Sequence, residues 1–348
     1  MYTPAIVFAG GKLRIIDQTL LPRRLSYIEL NSIQQTCWAI KKLKIRGAPA
    51  LGIVAAYSLY LAAGSVSSCR YDLFKKQMNN FCEQLLATRP TAVNLQYAIN
   101  RLKQVYTENA GEPISRIMKL MLSAAQEIHR QDRLSCQRIG EYGLPLLSSP
   151  CTILTHCNTG SLATGGWGTA LGIVYAAFEK GYKIHVYVPE TRPLGQGARL
   201  TYWELMHNKI PCTLIVDSCV GFLMQQKKVD LVLFGADRIA KNGDVANKIG
   251  SYAIAALARA HKIPCYAVAP ATSFDLAIAG GKQIPLEQRD GKEILQFYNY
   301  NNNLLRFIRF YNPAFDITPA RLLTGIISDR GIIKQPLAPG IKKLFKSN

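Results

Sequence analysis

Nothing in this sequence spaces its cysteines or histidines to share a metal. The nine cysteines contain no C-x-x-C pair and the five histidines are scattered. A disulfide framework and a zinc centre are therefore not expected, and the odd cysteine count fits reduced thiols in a cytoplasm. Long apolar runs are also missing. The best, Leu51 to Ala63, is thirteen residues, suited to a buried helix and too short to span a bilayer, so no membrane association is expected. The first residues lack a basic stretch followed by an apolar one, so no secretory leader is expected. A G-x-x-x-x-G-K-[ST] loop is absent, and Gly166, Gly168 and Gly172 miss the G-x-G-x-x-G spacing by one residue. No nucleotide, flavin or metal cofactor is expected.

Acidic residues are scarce as well: 22 against 42 lysines and arginines, a net charge of +20. Such a surface attracts anions, including sugar phosphates and nucleic acid. The charge is dispersed, however, in short runs at Lys41-Lys42-Lys44, Lys75-Lys76, Lys227-Lys228 and Lys342-Lys343-Lys346. No nucleic-acid-binding pattern accompanies them, so no nucleic-acid partner is expected.

The features that are present point to an α/β protein. The first part reads as a short β start followed by helices over Ser26–Leu43, Ala48–Ala63, Asp72–Ala87, Thr91–Tyr106 and Ile114 to about Leu147. Pro90 stops the third of these, and Pro113 suits the first turn of the last. From Cys151 the pattern changes to strands alternating with helices. The strands are Cys151–His156, Lys183–Val188, Cys212–Val216, Val229–Phe234 and Pro264–Val268. This predicts a mainly helical N-terminal domain, 1–147, followed by a doubly wound, Rossmann-like parallel sheet domain, 148–348. Tyr298 to Asn303, YNYNNN, reads as a surface loop.

Two strand ends carry candidate chemistry. The loop THCNTGSLATGGWGTAL, Thr155 to Leu171, joins an apolar strand to an apolar helix, which is where α/β proteins bind ligands. Cys157 in it is either a small buried residue or a thiol activated by neighbouring backbone N–H groups. His156 beside it is read as structural, because adjacent strand residues point to opposite faces. The second strand runs into GADRIAKNGDVANKIG, Gly235 to Gly250. Asp237 there is either a turn cap or a general acid whose pKa apolar walls would raise. Asp244, Asn247 and Lys248 come later in the same loop. Nearer the N-terminus, Arg46-Gly47-Ala48 precedes an apolar helix. A guanidinium beside a helix N-terminus makes an anion site; otherwise Gly47 and Pro49 merely punctuate two helices.

Taken together, these blocks resemble the 5-methylthioribose-1-phosphate isomerase family. Its superfamily includes ribose-1,5-bisphosphate isomerase and regulatory subunits of a translation initiation exchange factor. The resemblance runs through DQTLLP (Asp17 to Pro22), IRGAPALG (Ile45 to Gly52), TRPTAVNL (Thr88 to Leu95), THCNTGSLAT (Thr155 to Thr164) and ETRP (Glu190 to Pro193). It continues through QGARLTYWEL (Gln196 to Leu205), the GADRIA block and NPAFDITPA (Asn312 to Ala320). It implies Cys157 and Asp237 as the catalytic pair. It implies Arg46, Gly47, Ala48, Arg89, Gln196, Asn247 and Lys248 as substrate contacts. The chain departs from the family at Pro189, usually acidic, and at Leu194-Gly195, usually Arg-Leu. Asp316 is expected to cap the helix that Pro319 begins rather than to react.

The implied reaction converts 5-methylthioribose 1-phosphate to the corresponding ketose, in methionine salvage. A sugar phosphate would be the partner, and the resemblance also implies a homodimer in the cytoplasm. Ribose 1,5-bisphosphate is the alternative substrate and needs further cations for its second phosphate. A non-catalytic regulatory subunit is the other alternative, against which the intact Cys157 and Asp237 argue.

Overall fold

The structure is a computed structural model, which describes residues 3–66, 70–89, 92–296 and 307–346. Pro90, Thr91 and the YNYNNN segment lie outside the described residues. Two compact units are formed: Met1–Arg138 with Thr159–Gly172, and Ile139–Asn158 with Ile173–Asn348. A division at 147/148 follows the change of secondary structure, whereas packing groups the glycine-rich loop with the N-terminal part.

In the first unit, β1 (Ile6–Ala9), β2 (Lys12–Ile16) and β3 (Tyr27–Leu30) form an antiparallel sheet in the order β1-β2-β3. Gly10 and Gly11 close the first hairpin with φ of 59° and 74°, the two-residue turn that matches strand twist. The helix expected from Ser26 opens instead as strand β3. It begins only at α1 (Ile33–Lys41), where Ser32 Oγ accepts from Gln35 N at 3.2 Å, a cap that fixes the start. Next comes α2 (Ala48–Gly64), buried on nearly every side and packed against α1, α3 (Tyr71–Leu86) and α4 (Val93–Glu108). Gly52 permits the closest approach: a Cβ there would lie 2.6 Å from Asn94 O. The long amphipathic α5 (Ile114–Gly143) ends in a 3₁₀ turn, Leu144–Leu146. The loop Thr159–Gly172 is tied into this unit. Gln18 Nε2 donates to Leu162 O at 2.7 Å, and Gly165 N donates to the Asp132 carboxylate at 2.6 Å.

The second unit contains β4 (Cys151–Leu154), most of α6 (Ala170–Glu179), β5 (Ile184–Pro189), α7 (Tyr202–His207), β6 (Cys212–Ile215), α8 (Cys219–Gln225) and β7 (Leu231–Gly235). It continues with β8 (Arg238–Ala240), β9 (Val245–Lys248), α9 (Ser251–Ala260), β10 (Cys265–Val268), β11 (Phe274–Asp275), β12 (Phe315–Thr318), β13 (Gly325–Ser328), β14 (Gly331–Lys334) and α10 (Leu337–Lys346). Seven strands form one sheet in the order β14-β13-β10-β7-β4-β5-β6. All pairings are parallel except β13 with β14. Numbered by their order in the chain, the six parallel strands run 3-2-1-4-5-6, the doubly wound arrangement. Central strands β7 and β10 are buried throughout, as strands covered by helices on both faces must be. Val232, Phe234, Ala267 and Ile326 lie at the centre of this core.

The GADRIA block, expected as a loop, is instead a hairpin. Gly243, with φ of 91°, turns the chain after Asn242 so that β8 pairs antiparallel with β9. With β11 and β12 they form a second sheet in the order β11-β8-β9-β12.

Candidate active site

Strand order reverses between β4 and β7, which pair at Ile153–Leu231 and Leu154–Val232. At such a reversal the loops leave in opposite directions and open a crevice at the carboxyl ends. Cys157 follows β4 by three residues and Asp237 follows β7 by two. The two expected reactive groups therefore lie at one edge of one sheet.

Cys157 is buried, 9% exposed, and its φ is +61°, a conformation L side chains rarely adopt. Its N–H donates to Thr191 Oγ1 at 3.1 Å, and its carbonyl accepts from Thr201 Oγ1 at 2.5 Å. Thr191 is left-handed too, with φ of +62°. The Asp217 carboxylate accepts from Thr191 N at 2.8 Å and from Arg192 N at 2.7 Å. Thr201 ends a π turn, Gly197–Thr201, which leads into α7; such turns recur at functional sites. Asn158 donates through Nδ2 to Glu204 Oε1 at 2.6 Å, and Tyr175 OH donates to Glu204 Oε2 at 3.2 Å. None of Thr191, Thr201, Asp217 or Glu204 is singled out by sequence reading, because their roles depend on contacts between distant loops.

Asp237 is half-buried and donates its N–H to Ala246 O at 3.0 Å, which anchors it to the hairpin. On β9, Asn247 is buried and its Nδ2 donates to Ser251 Oγ at 2.7 Å. Lys248 Nζ donates to Ala314 O at 2.8 Å and lies 4.5 Å from the Phe315 ring centroid. The ammonium is thus oriented by a carbonyl and an aromatic face. Gln196, buried at the start of the π turn, has no hydrogen-bond partner for Oε1 among the described residues. This suits it to a ligand donor such as a sugar hydroxyl.

His156 has the structural role expected of it. Its Nε2 donates to Ile249 O at 2.9 Å, and burial pushes its pKa down, keeping the ring neutral. Gly250, with φ of 103°, faces this ring; a Cβ there would lie 3.2 Å from the imidazole. Asp316 does not cap the turn begun by Pro319. It caps α9, accepting from Gly250 N at 2.7 Å and Tyr252 N at 3.1 Å. Burial pushes its carboxyl up to about 6. The turn after Pro319 is capped by Asp244, whose Oδ1 accepts from Ala320 N at 2.9 Å. Asp316 sits opposite Asn247 in the β9–β12 ladder, which places it beside the start of α9 rather than beside that turn.

The remaining expected contacts belong to the first unit. Arg46 is half-buried, Gly47 is the N-cap of α2 and Ala48 is its first residue. Gly47 is required twice over: φ is 97°, and a Cβ would lie 2.5 Å from Ala163 Cα. Among the described residues no side chain caps this helix start, and the positive end of a helix attracts anions. Arg89 is half-buried just after α3. Among the described residues, no three His, Cys, Asp or Glu stand together to hold a metal. No helix there is long and apolar enough to cross a membrane.

The chain is similar to known proteins over nearly its whole length. Methylthioribose-1-phosphate isomerase of Pelotomaculum thermopropionicum is 48% identical over 333 residues, covering 96% of this chain and 91% of the relative. A protein named 5-deoxyribose 1-phosphate isomerase, from Moorella thermoacetica, is 44% identical and covers 99% of both chains. The crystal structure of 5-methylthioribose 1-phosphate isomerase from Pyrococcus horikoshii OT3 superposes with a TM-score of 0.92 at 39% identity, covering 99% of this chain and 97% of that one. Residues 44–335 match the Initiation factor 2 subunit family, and the chain belongs to that family.

Proposed function

We propose that this protein is an aldose–ketose isomerase that converts 5-methylthioribose 1-phosphate to 5-methylthioribulose 1-phosphate, a step of methionine salvage. The observation that carries the reading is that Cys157 and Asp237 follow the carboxyl ends of the adjacent strands β4 and β7, where strand order reverses. Both belong to the sheet segment 148–348, which we take as the catalytic domain.

Phosphate on C1 blocks the anomeric oxygen, so this sugar cannot open to a free aldehyde unaided. Asp237 acts as general acid on the ring oxygen as it leaves C1. A hydrogen then passes from C2 to C1 while the C2 hydroxyl gives its proton to the Asp237 carboxylate left by the first step, so the composition is unchanged and the acid is restored. Cys157 receives or stabilises the charge that develops there. The half-buried position of Asp237 lets it re-equilibrate with solvent, and the buried position of Cys157 excludes water from the reacting carbons.

Arg46, Arg89 and the uncapped start of α2 at Gly47 and Ala48 take the phosphate. Gln196, Asn247 and Lys248 hold the sugar. 5-Deoxyribose 1-phosphate shares every hydroxyl and the phosphate with the methylthio sugar, so it is the second substrate to assay. The decisive measurement is ketose formation from each aldose phosphate by purified protein without added metal or nucleotide. Absence of turnover on both sugars would reject the isomerase reading in favour of a binding role.

The cytoplasmic, homodimeric state belongs to the same proposal. Eight described cysteines are free, as in a reducing compartment. At the β6 edge of the sheet Leu214 is exposed, as are Val216 just after the strand and Phe222 of α8. An apolar strand edge of this kind is normally covered, and a second copy is the partner we propose. A monomeric mass by light scattering at micromolar concentration would reject it.

A further inference from the structure

We infer that Thr191 and Thr201 are positioning residues for Cys157: by pinning the peptide groups on both sides of it, they set the direction in which the thiol is presented. This rests on the reading of Cys157 as a reacting group.

The backbone of one residue is defined by the peptide before it and the peptide after it. At Cys157 both are held by side-chain hydroxyls. The N–H of the preceding peptide donates to Thr191 Oγ1 at 3.1 Å, and the carbonyl of the following one accepts from Thr201 Oγ1 at 2.5 Å. Both threonines are 0% exposed, so water does not compete for these bonds. Each hydroxyl also has its polarity fixed. The Thr191 hydroxyl donates to Pro189 O at 3.2 Å, leaving a lone pair toward Cys157 N. The Thr201 oxygen accepts from Asn158 Nδ2 at 3.1 Å, leaving its proton for the Cys157 carbonyl.

The conformation held in this way is one that costs energy. Cys157 and Thr191 are both left-handed, and for a β-branched residue this is a marked outlier. Strained residues persist where surrounding contacts over-determine them, and they cluster at active sites. The Asp217 carboxylate supplies such contacts at Thr191 by accepting two successive backbone N–H groups. The π turn supplies the other side. Its extra residue rotates the succeeding residues by ~100° relative to an uninterrupted helix, and Thr201 is its last residue. Gly197 lets this turn press in: a Cβ there would lie 1.8 Å from Pro189 O and 2.9 Å from Thr191 Oγ1. Loss of either hydroxyl would free the Cys157 peptide to relax toward ordinary backbone angles and turn the thiol away.

The test uses the full-length protein and the isosteric pair Thr201→Val and Thr191→Val, beside Thr201→Ser and Thr191→Ser. The expected result is kcat lowered about 10–100-fold in each valine variant with KM changed less than about 3-fold, as for misplacement of a reacting group by a fraction of an ångström. The serine variants keep the hydroxyl and should recover kcat to within about 3-fold of the parent. The rate of Cys157 alkylation by iodoacetamide, measured against pH, should change in the valine variants and not in the serine variants. Equal losses in the valine and serine variants, or unchanged kcat and alkylation in folded valine variants, would overturn the inference. If a valine variant does not fold, Asp217→Asn, at a part-exposed position, loosens the backbone of Thr191, which carries one of the two hydroxyls. It should lower kcat while sparing KM, and unchanged kcat there overturns the inference equally. Cys157→Ser separates the two levels. If it is inactive while the valine variants behave as the parent, only the positioning role fails. If it is fully active, the reading of Cys157 fails and the positioning role with it.

Discussion

Cys157 and Asp237 leave neighbouring parallel strands, yet their surroundings are opposite in kind. Cys157 is buried, left-handed and held on both sides by threonine hydroxyls. Asp237 is half-buried at the start of a hairpin, where its N–H donates to Ala246 O. A group that must meet carbon-bound hydrogen in a dry setting gains from rigidity and exclusion of water. A group that must give a proton and regain it gains from contact with solvent. One sheet edge supplies both environments because its two adjacent strands lead into different structures, a glycine-rich loop after β4 and a small antiparallel sheet after β7.

The sharpest way to break this contrast is to remove each group's chemistry. Asp237→Asn should lower kcat by about 10²–10⁴-fold while leaving the protein folded; near-parental turnover would sink its role as general acid. Cys157→Ser should be comparably inactive. Iodoacetamide should inactivate the parent protein, with substrate giving protection. Inactivation at the same rate with and without saturating substrate would place Cys157 outside the pocket.

Next in size is the phosphate end. Arg46→Ala and Arg89→Ala should each cost about 1.5–3 kcal/mol in kcat/KM, the range of charge-assisted hydrogen bonds. Neutralising Lys342, Lys343 and Lys346 should change little at physiological salt, where the Debye length is about 8 Å. Kinetics at two ionic strengths separate a built site from diffuse charge: an equal loss in the lysine variant would favour the latter.

A comparable or smaller effect concerns stability. The Asp316 carboxyl is raised from 3.8 to about 6 by burial. A folded pKa above the unfolded one means its stabilising contribution is complete below pH ~4 and is lost as pH rises through ~6. Asp316→Asn should therefore remove part of the fall in thermal stability between those values, at most ~3 kcal/mol by the one-unit equivalence. Melting curves of the two proteins that stay parallel from pH 4 to 7 would show that this carboxyl does not titrate there.

The parallel sheet is legible in the sequence because β4, β5, β6, β7 and β10 are short apolar runs separated by helix-length stretches. Their ends lie within a few residues of the expected ones. The second sheet is not legible in the same way. β8 and β9 are three and four residues long, and their partners β11 and β12 come much later in the chain. The Asn242-Gly243 pair is the one local signal for the hairpin. Ser26–Leu30 reads as helix because apolar residues there fit either period, and only the cap at Ser32 decides. The proposed reactive pair, Cys157 and Asp237, is reached by resemblance. The threonines that frame Cys157 are not, because a hydroxyl becomes a positioning group only when distant loops and a left-handed backbone bring it there.

Lys248 owes its orientation to Ala314 and Phe315, and Asn247 lies on a strand whose partner is Phe315–Thr318. Cys157 and Asp237 are synthesised long before that segment. If the proposed site is correct, a nascent chain carries Cys157 and Asp237 before the segment that orients Lys248 and pairs with the strand of Asn247, and turnover is expected only once Phe315–Thr318 has paired with β9.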